Sequence, residues 1–279
     1  MNNLVIRSDN LDALKYLYKD YAGKIDVMPI DPPYNTAIDY IGYKDCGFAE
    51  GWDYFMKERL DTAYGLLSDK GVMFIHIDEN EFTQLWSLCS GIFGKENIMT
   101  MIWKKTNKYF DENRREKALE SGIRRTHEFI LVCFKNRQKT ELRPVCQPYY
   151  ENGKLKERLQ PLETVVDFMG TTASAKDELR KLMGEDIVFP TPKPVKMIKE
   201  FIRSASDSSS VILDFFAGSG TTGQAVMELN KEDGGKRKFI LVTNDENGIF
   251  EKYTVPRIMK AAEKYGLCAQ TVIKYDLND

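Results

Sequence analysis

Asp31-Pro32-Pro33-Tyr34 closes a strand-like run, Ile25-Asp26-Val27-Met28-Pro29-Ile30. A carboxylate beside a proline-fixed carbonyl offers two acceptors, enough to take both hydrogens of an exocyclic amino group. The tyrosine adds a face on which the base carrying that group can stack. The prolines hold the turn extended. A plain Asp-Pro-Pro turn is the bland alternative; its place behind a buried strand and its aromatic end favour the chemical reading. A second group lies far along the chain, Asp214-Phe215-Phe216-Ala217-Gly218-Ser219-Gly220. It is a glycine turn behind an acidic strand end, with a bare backbone that a nucleotide-like cofactor can approach closely.

Three readings of that turn compete. Gly218-Ser219-Gly220-Thr221-Thr222-Gly223 spells G-x-G-x-x-G, the pattern of dinucleotide folds, where the first glycine follows the strand almost directly. Here Asp214 to Ala217 intervene, and the broader loop suits S-adenosylmethionine better. A purely structural turn is the third reading. A phosphate-cradling loop is excluded, because no lysine follows the second glycine.

Around these motifs, apolar runs alternate with amphipathic ones, the pattern of a mostly parallel α/β sheet. Strands are expected at Leu4–Arg7, Asp26–Ile30, Val72–Ile77, Met99–Trp103, Phe129–Phe134, Val211–Asp214 and Phe239–Val242, with a further edge strand at Thr271–Lys274. Between them, helical spacing joins Leu11, Leu14 and Tyr18, with Asp9 or Asn10 as N-cap. The same spacing joins Trp52, Met56, Leu60, Ala63 and Leu67, then Phe82, Leu85, Trp86, Cys89 and Phe93, then Thr221 to Leu229, and finally Ile258 with Ala261. The fold expected is doubly wound, with a mostly parallel seven-stranded sheet. Residues 136–188 mix charges, glycines and prolines with weak periodicity. They read as a small inserted recognition module, with a disordered linker as the alternative. The resulting organisation is a first half over 1–135, the insert over 136–188 and a second half over 189–279.

Composition sets bounds. The chain has 279 residues, 42% hydrophobic and 29% charged, as in ordinary globular proteins. No apolar run reaches the ~18 residues of a membrane span, and the start lacks the apolar core of a signal peptide. Five scattered cysteines fit reduced thiols in a cytoplasm, and with two histidines a metal site is not expected. A net charge of −2 gives no global sign of nucleic acid, but charge can concentrate locally. From Lys104 to Arg125 there are eight basic residues against four acidic ones, with Tyr109-Phe110 among them. The bland reading is a solvated loop. The sharper reading takes Lys104, Lys105, Arg114, Arg115, Arg124 and Arg125 as contacts to DNA phosphates.

The two motifs in this order resemble the β-class amino-methyltransferases of DNA, including the modification subunits of type III restriction systems. Further matching segments are Gly71 to Glu81, Thr126-His127-Glu128-Phe129-Ile130-Leu131 and Asn35-Thr36, so the resemblance covers nearly the whole chain. It implies a circularly permuted methyltransferase (Rossmann-like) topology, S-adenosylmethionine as cofactor and double-stranded DNA as substrate. Asp31, Pro32, Pro33 and Tyr34 take the catalytic positions. Asp9, Asn10, Asp31, Pro32, Lys193, Asp214, Phe216, Gly218, Gly220, Thr221 and Asn244 take the cofactor positions. Within these, Asp9 would receive the cofactor's adenine amino group or simply cap its helix. Lys193, in Phe189-Pro190-Thr191-Pro192-Lys193-Pro194, would pair with the cofactor carboxylate. Asn244, Asp245 or Glu246 would meet the ribose. Aspartate at position 31 favours adenine-N6 as target, with cytosine-N4 as alternative. An inactive DNA-binding subunit, an RNA or protein-amide methyltransferase and a nicotinamide oxidoreductase are the other readings. The short chain leaves room for a homodimer, or for a DNA-reading or nuclease partner.

Overall fold

The apolar runs become strands and the amphipathic ones become helices that cover both faces of a sheet. The computed structural model describes residues 2–36, 47–107, 122–186, 188–267 and 272–277. The first half contains β1 (Asn3–Arg7), α1 (Asn10–Tyr21), β2 (Ile25–Ile30), α2 (Trp52–Leu66), β3 (Leu67–Ile77), α3 (Phe82–Phe93), β4 (Ile98–Lys104) and β5 (His127–Phe134). Then come β6 (Val145–Glu151), β7 (Lys154–Gln160), β8 (Val165–Val166) and α4 (Thr172–Met183). The chain finishes with α5 (Val195–Ala205), β9 (Val211–Asp214), α6 (Thr221–Asp233), β10 (Lys238–Thr243), α7 (Val255–Tyr265) and β11 (Val272–Asp276).

Among the described residues, nine strands form one sheet in the order β11-β1-β10-β9-β2-β3-β5-β4-β8. The expected count of seven is therefore too low. All seven expected strands are present; the further edge strand expected at Thr271–Lys274 is β11 beside β1, and the two-residue β8 beside β4 is the unforeseen addition. So short an edge carries no periodicity from which it could be read. Within this sheet, among the described residues, only β5 runs antiparallel to its neighbours.

The strand order fixes where a ligand can bind. From β2 the chain moves to β3 on one side, and from β9 it moves to β10 on the other. β2 and β9 are adjacent, with Val27 opposite Ile212, so the sheet reverses direction between them. In open α/β sheets the crevice at the carboxyl ends of such strands is the ligand site. Asp31 leaves the end of β2, and Asp214 ends β9.

Strand residues alternate between two cores, as the two-residue period requires. Val72 and Phe74 join Phe201, Ile198, Val226 and Ile258 on one face. Met73, Ile75 and Ile77 join Leu14, Leu17, Met56, Leu60 and Leu85 on the other. Two local expectations shift. In α1 the buried stripe is Ala13, Leu14, Leu17 and Tyr21, while Tyr18 is exposed. Leu67 opens β3 rather than continuing α2, because its backbone turns extended at the helix C-cap. Gly71 follows in that strand, where a side chain would come 2.9 Å from the Ile25 carbonyl oxygen.

Residues 136–188 divide their loyalties. β6 and β7 form a separate hairpin, turned by Asn152 and Gly153 at φ +52° and +73°, the left-handed pair that suits a two-residue turn. Val145, Val166 and Met169 are buried in the main core, Ala175 and Leu179 of α4 are buried as well, and α4 is tied to the body where Glu178 accepts from the Val195 amide and Lys260 donates to the Met183 carbonyl.

Candidate active site

The glycine loop is held by its own side chains. Asp214 accepts hydrogen bonds from Thr222 Oγ1 at 2.6 Å and from the Phe216 amide at 3.1 Å. Burial, with Asp31 as a smaller contributor, pushes its carboxyl up to about 7. Beneath the loop, the fully buried Arg257 donates through Nη1 to Ser219 Oγ and Thr221 Oγ1, both at 2.8 Å. Thr254 Oγ1 donates to the Gly218 carbonyl at 2.6 Å. Asp214 and Thr221 thus shape the loop from behind. Gly220, at φ +81°, starts α6 in the left-handed region that glycine tolerates.

In front of the loop lies a cleft lined by Phe216 and Gly218 from β9 onward, Asp9 and Asn10 from the end of β1, and Asn244 and Glu246 from the end of β10. Pro33 of the acceptor tetrapeptide lines the same cleft, with Phe48 and Phe55. The two sequence motifs therefore meet in one place. Asp9 caps α1, accepting from the Leu11 amide at 2.7 Å, and also lines the cleft. Of the three polar residues after β10, Asn244 and Glu246 face the cleft. Asp245 turns away to accept from the Phe250 amide and to pair with Arg7.

Sequence reading overlooked Arg59. Its guanidinium sits 3.6 Å from the Phe55 ring centroid, pairs with Asp9 Oδ2 at 3.0 Å and bonds Asn10 Oδ1. Asn10 in turn donates to the Phe215 carbonyl at 3.1 Å. One helix residue thereby ties the ends of β1 and β9 together. The only clue in the sequence is an arginine on the apolar side of α2, three residues after Met56 and directly before Leu60.

On the acceptor side, four groups interlock. Tyr34 Oη donates to Asp31 Oδ1 at 2.7 Å and lies 3.0 Å from Glu128 Oε2. Lys193 Nζ lies 2.8 Å from Asp31 Oδ2, 3.2 Å from Glu128 Oε2 and 3.1 Å from Tyr34 Oη. Lys105 Nζ closes the far side at 3.1 Å from Glu128 Oε1. Burial pulls the Lys193 pKa down, but Asp31 and Glu128 outweigh it and leave it raised. Burial pushes Glu128 up, yet Lys193 and Lys105 outweigh that and bring it to about 2. For Asp31, burial wins over Lys193 and leaves the carboxyl above its usual value. Glu128 was not singled out from the sequence, although its segment Thr126 to Leu131 was.

Two expected residues thus sit elsewhere than foreseen. Lys193 is turned to Asp31, and its described contacts include nothing in the glycine loop. Lys105 is turned inward to Glu128 rather than outward to a phosphate. Lys104 is half-exposed, 3.8 Å from Asp167, and Arg125 pairs with Glu79. Arg114 and Arg115 lie outside the described residues. Pro32 and Pro33 are buried, and Trp52 Nε1 donates to the Pro33 carbonyl at 2.7 Å, fixing the turn. Asn35, at φ +56°, donates to Glu81 Oε1 at 2.7 Å and steers the chain away after Tyr34. Among the described residues no cluster of metal-ligating side chains occurs, and no helix is long and apolar enough to cross a membrane.

Comparison with known proteins agrees with this fold. The chain is 29% identical to the type III restriction-modification enzyme StyLTI Mod subunit of Salmonella typhimurium, over 88% of its own length and 53% of that protein's. It is 26% identical to the type II methyltransferase M.KpnI of Klebsiella pneumoniae, over 85% and 79% of the two chains. The chain spans about half the length of the Mod subunits it matches. Among solved structures, the M1.HpyAVI–SAM complex aligns with a TM-score of 0.57 at 19% identity, over 91% of this chain and 98% of that one. The cytosine-N4-specific PvuII DNA methyltransferase aligns at 0.59 and 14%, over 100% and 96%. Residues 25–255 match the N6_N4_Mtase family of DNA methylases, and the chain belongs to that family.

Proposed function

We propose that the chain transfers a methyl group from S-adenosylmethionine to the N6 amino group of an adenine in double-stranded DNA, within a restriction-modification system. The observation that carries this reading is the shared cleft: Pro33 of the acceptor turn and Phe216 and Gly218 of the glycine loop line one crevice at the switch point. The cleft fits the cofactor. Its wall is aromatic, Gly218 at φ +46° exposes backbone, and Asp9, Asn244 and Glu246 supply acceptors for amino and hydroxyl groups.

S-adenosylmethionine supplies a methyl on a positively charged sulfur, an electrophile with a neutral leaving group. The chain's task is then alignment. An adenine amino nitrogen is a poor nucleophile, because its lone pair is delocalised into the ring. Asp31 and the Pro32 carbonyl can each accept one of its N–H groups and favour a tetrahedral nitrogen whose lone pair points out of the ring plane. Asp31 already accepts from Tyr34 and Lys193; a carboxylate has about four acceptor sites, so room for the amino group remains. Positioning and fixed charge supply the acceleration. After transfer, Asp31 or water takes the proton from the cationic nitrogen. Within a duplex the amino group is out of reach, so the base must be turned out of the stack.

The test is incubation with labelled methyl donor and duplex DNA, single-stranded DNA or RNA, followed by digestion and identification of the methylated nucleoside. N6-methyladenine from duplex DNA supports the reading. N4-methylcytosine moves the target, and label on RNA alone overturns the assignment. The similarity to Mod subunits of type III restriction-modification enzymes supports a further proposal, that the chain works as a homodimer or with a nuclease or DNA-reading partner. Light scattering with and without target DNA tests the first.

A further inference from the structure

We infer that Lys193 is a positioning residue of the acceptor side: it holds Asp31 as a carboxylate aimed at the amino group, with Glu128 as its anchor. The inference rests on the proposed reading of Asp31 as the amino-group acceptor, and it replaces the expectation that Lys193 binds the cofactor carboxylate.

Three observations carry it. First, an ammonium has three hydrogens, and Lys193 has three acceptors at hydrogen-bond distance: Asp31 Oδ2, Glu128 Oε2 and Tyr34 Oη. No donor is left for a ligand in the cleft, which Lys193 does not line. Second, the charges balance only with this lysine in place. Two carboxylates share the Tyr34 hydroxyl at 2.7 and 3.0 Å, and like charges that close in a buried site cannot both stay ionised alone. Lys193 and Lys105 supply the two compensating charges. Third, the backbone is stiff. Lys193 lies between Pro192 and Pro194, the latter serving as N-cap of α5, and the side chain is 8% exposed.

The groups that surround Asp31 are Lys193 from the segment before α5, Glu128 from β5 and Tyr34 from its own turn. Asp214 at the end of β9 acts on it electrostatically. Behind Lys193 and Glu128 stand Lys105 and His76 of β3, which burial keeps neutral.

The test uses the full chain and three readouts: kcat for methyl transfer to duplex DNA across pH 5 to 9, S-adenosylmethionine affinity by calorimetry, and the Asp31 carboxylate titration by 13C NMR, assigned with D31N. In K193M the acidic limb of kcat and the Asp31 titration should both move up by about one pH unit or more. At pH 7, kcat should fall about tenfold or more, with cofactor Kd within about threefold of the original. K193R should keep both curves near those of the original protein. The double variant K193M/E128Q, which removes one charge of each sign, should bring both curves part of the way back. If K193M does not fold, K193R and the double variant decide by the same criteria. Unmoved pH curves in K193M overturn the inference. With a cofactor Kd weakened about tenfold, they would place Lys193 on the cofactor carboxylate. If the unmodified protein transfers no methyl group to DNA, the proposed function fails; the NMR titration still decides the role of Lys193.

Discussion

Tyr34 and Glu128 are separated by 94 positions in the chain, yet the phenol oxygen of one lies 3.0 Å from the carboxylate of the other. The hydroxyl therefore lies between two carboxylates. Tyr34→Phe should keep the ring and lose the hydroxyl. We expect kcat to fall more than KM for DNA rises, and thermal stability to drop by about 1–3 kcal/mol, since Asp31 loses a donor and Lys193 an acceptor. Steady-state kinetics and a denaturant melt measure both. A KM effect alone would mean that the hydroxyl serves binding only.

Asp214 gives the free protein a signature in pH. Its carboxyl is raised from the usual 3.8 to about 7 by burial, so the fold favours the protonated form. The associated stability is full below pH 4 and lost as pH rises through 7. Each pH unit between the unfolded and folded titration points is worth about 1.4 kcal/mol. Asp214→Asn should lack that decline. Urea melts of both proteins between pH 4 and 8 should therefore diverge, the variant gaining on the original as pH rises. Parallel curves would contradict the assignment.

Arg59→Met keeps an apolar stem against Phe55 but removes the donors to Asp9 and Asn10. Cofactor affinity should fall several-fold, with a stability loss of about 1–2 kcal/mol, because Asp9 remains in reach of water. Calorimetry with S-adenosylmethionine reads the first effect and a melt reads the second. Unchanged affinity would remove Arg59 from the cofactor site.

Gly223 lies where α6 presses on α7 and β10. A methyl there would stand 2.3 Å from Ile258 Cδ1 and 3.0 Å from Leu241 Cδ1. Gly223→Ala should destabilise by about 1–3 kcal/mol through overpacking. Adding Ile258→Val, which deletes the nearer methyl, should restore part of the loss even though that change alone costs about 0.5–1.5 kcal/mol. Additive losses in the pair would show that the clash is not with Ile258.

The basic segment can be separated by salt dependence. Replacing Arg114 and Arg115 together should lower the slope of log affinity against log salt by about two, whereas Lys105→Ala should leave it unchanged. Lys105 is committed to Glu128. A reduced slope in the lysine variant would show that DNA competes for it.

Much of this was legible from the residues. Apolar alternation and turn chemistry located the seven principal strands, and Asp31-Pro32-Pro33-Tyr34 and the glycine turn announced their chemistry through residue types that few other roles require. The sequence was silent where partners come from distant segments. Glu128 sits on a strand among apolar neighbours, and only the pairing of β5 with β3 brings it beside Lys193 and Tyr34. Lys193 looked like a ligand for an anion, as it is, but the anion is the protein's own. Arg257 likewise carries no signal in the sequence, yet α7 turns it under the glycine loop. β8 is too short to show a period, its anchors being Val166 and the following Met169, whereas Ala175, Leu179 and Met183 of α4 recur every four residues within an otherwise largely polar helix.

Lys104 and His127 face each other at the mouth of the β4–β5 pair, and one step further Lys105 is clasped to Glu128. The paired ends of β4 and β5 are thereby joined to Asp31 through Glu128 and Lys193. A displacement of those strand ends reaches the acceptor turn through three successive ion pairs, Lys105 to Glu128, Glu128 to Lys193 and Lys193 to Asp31.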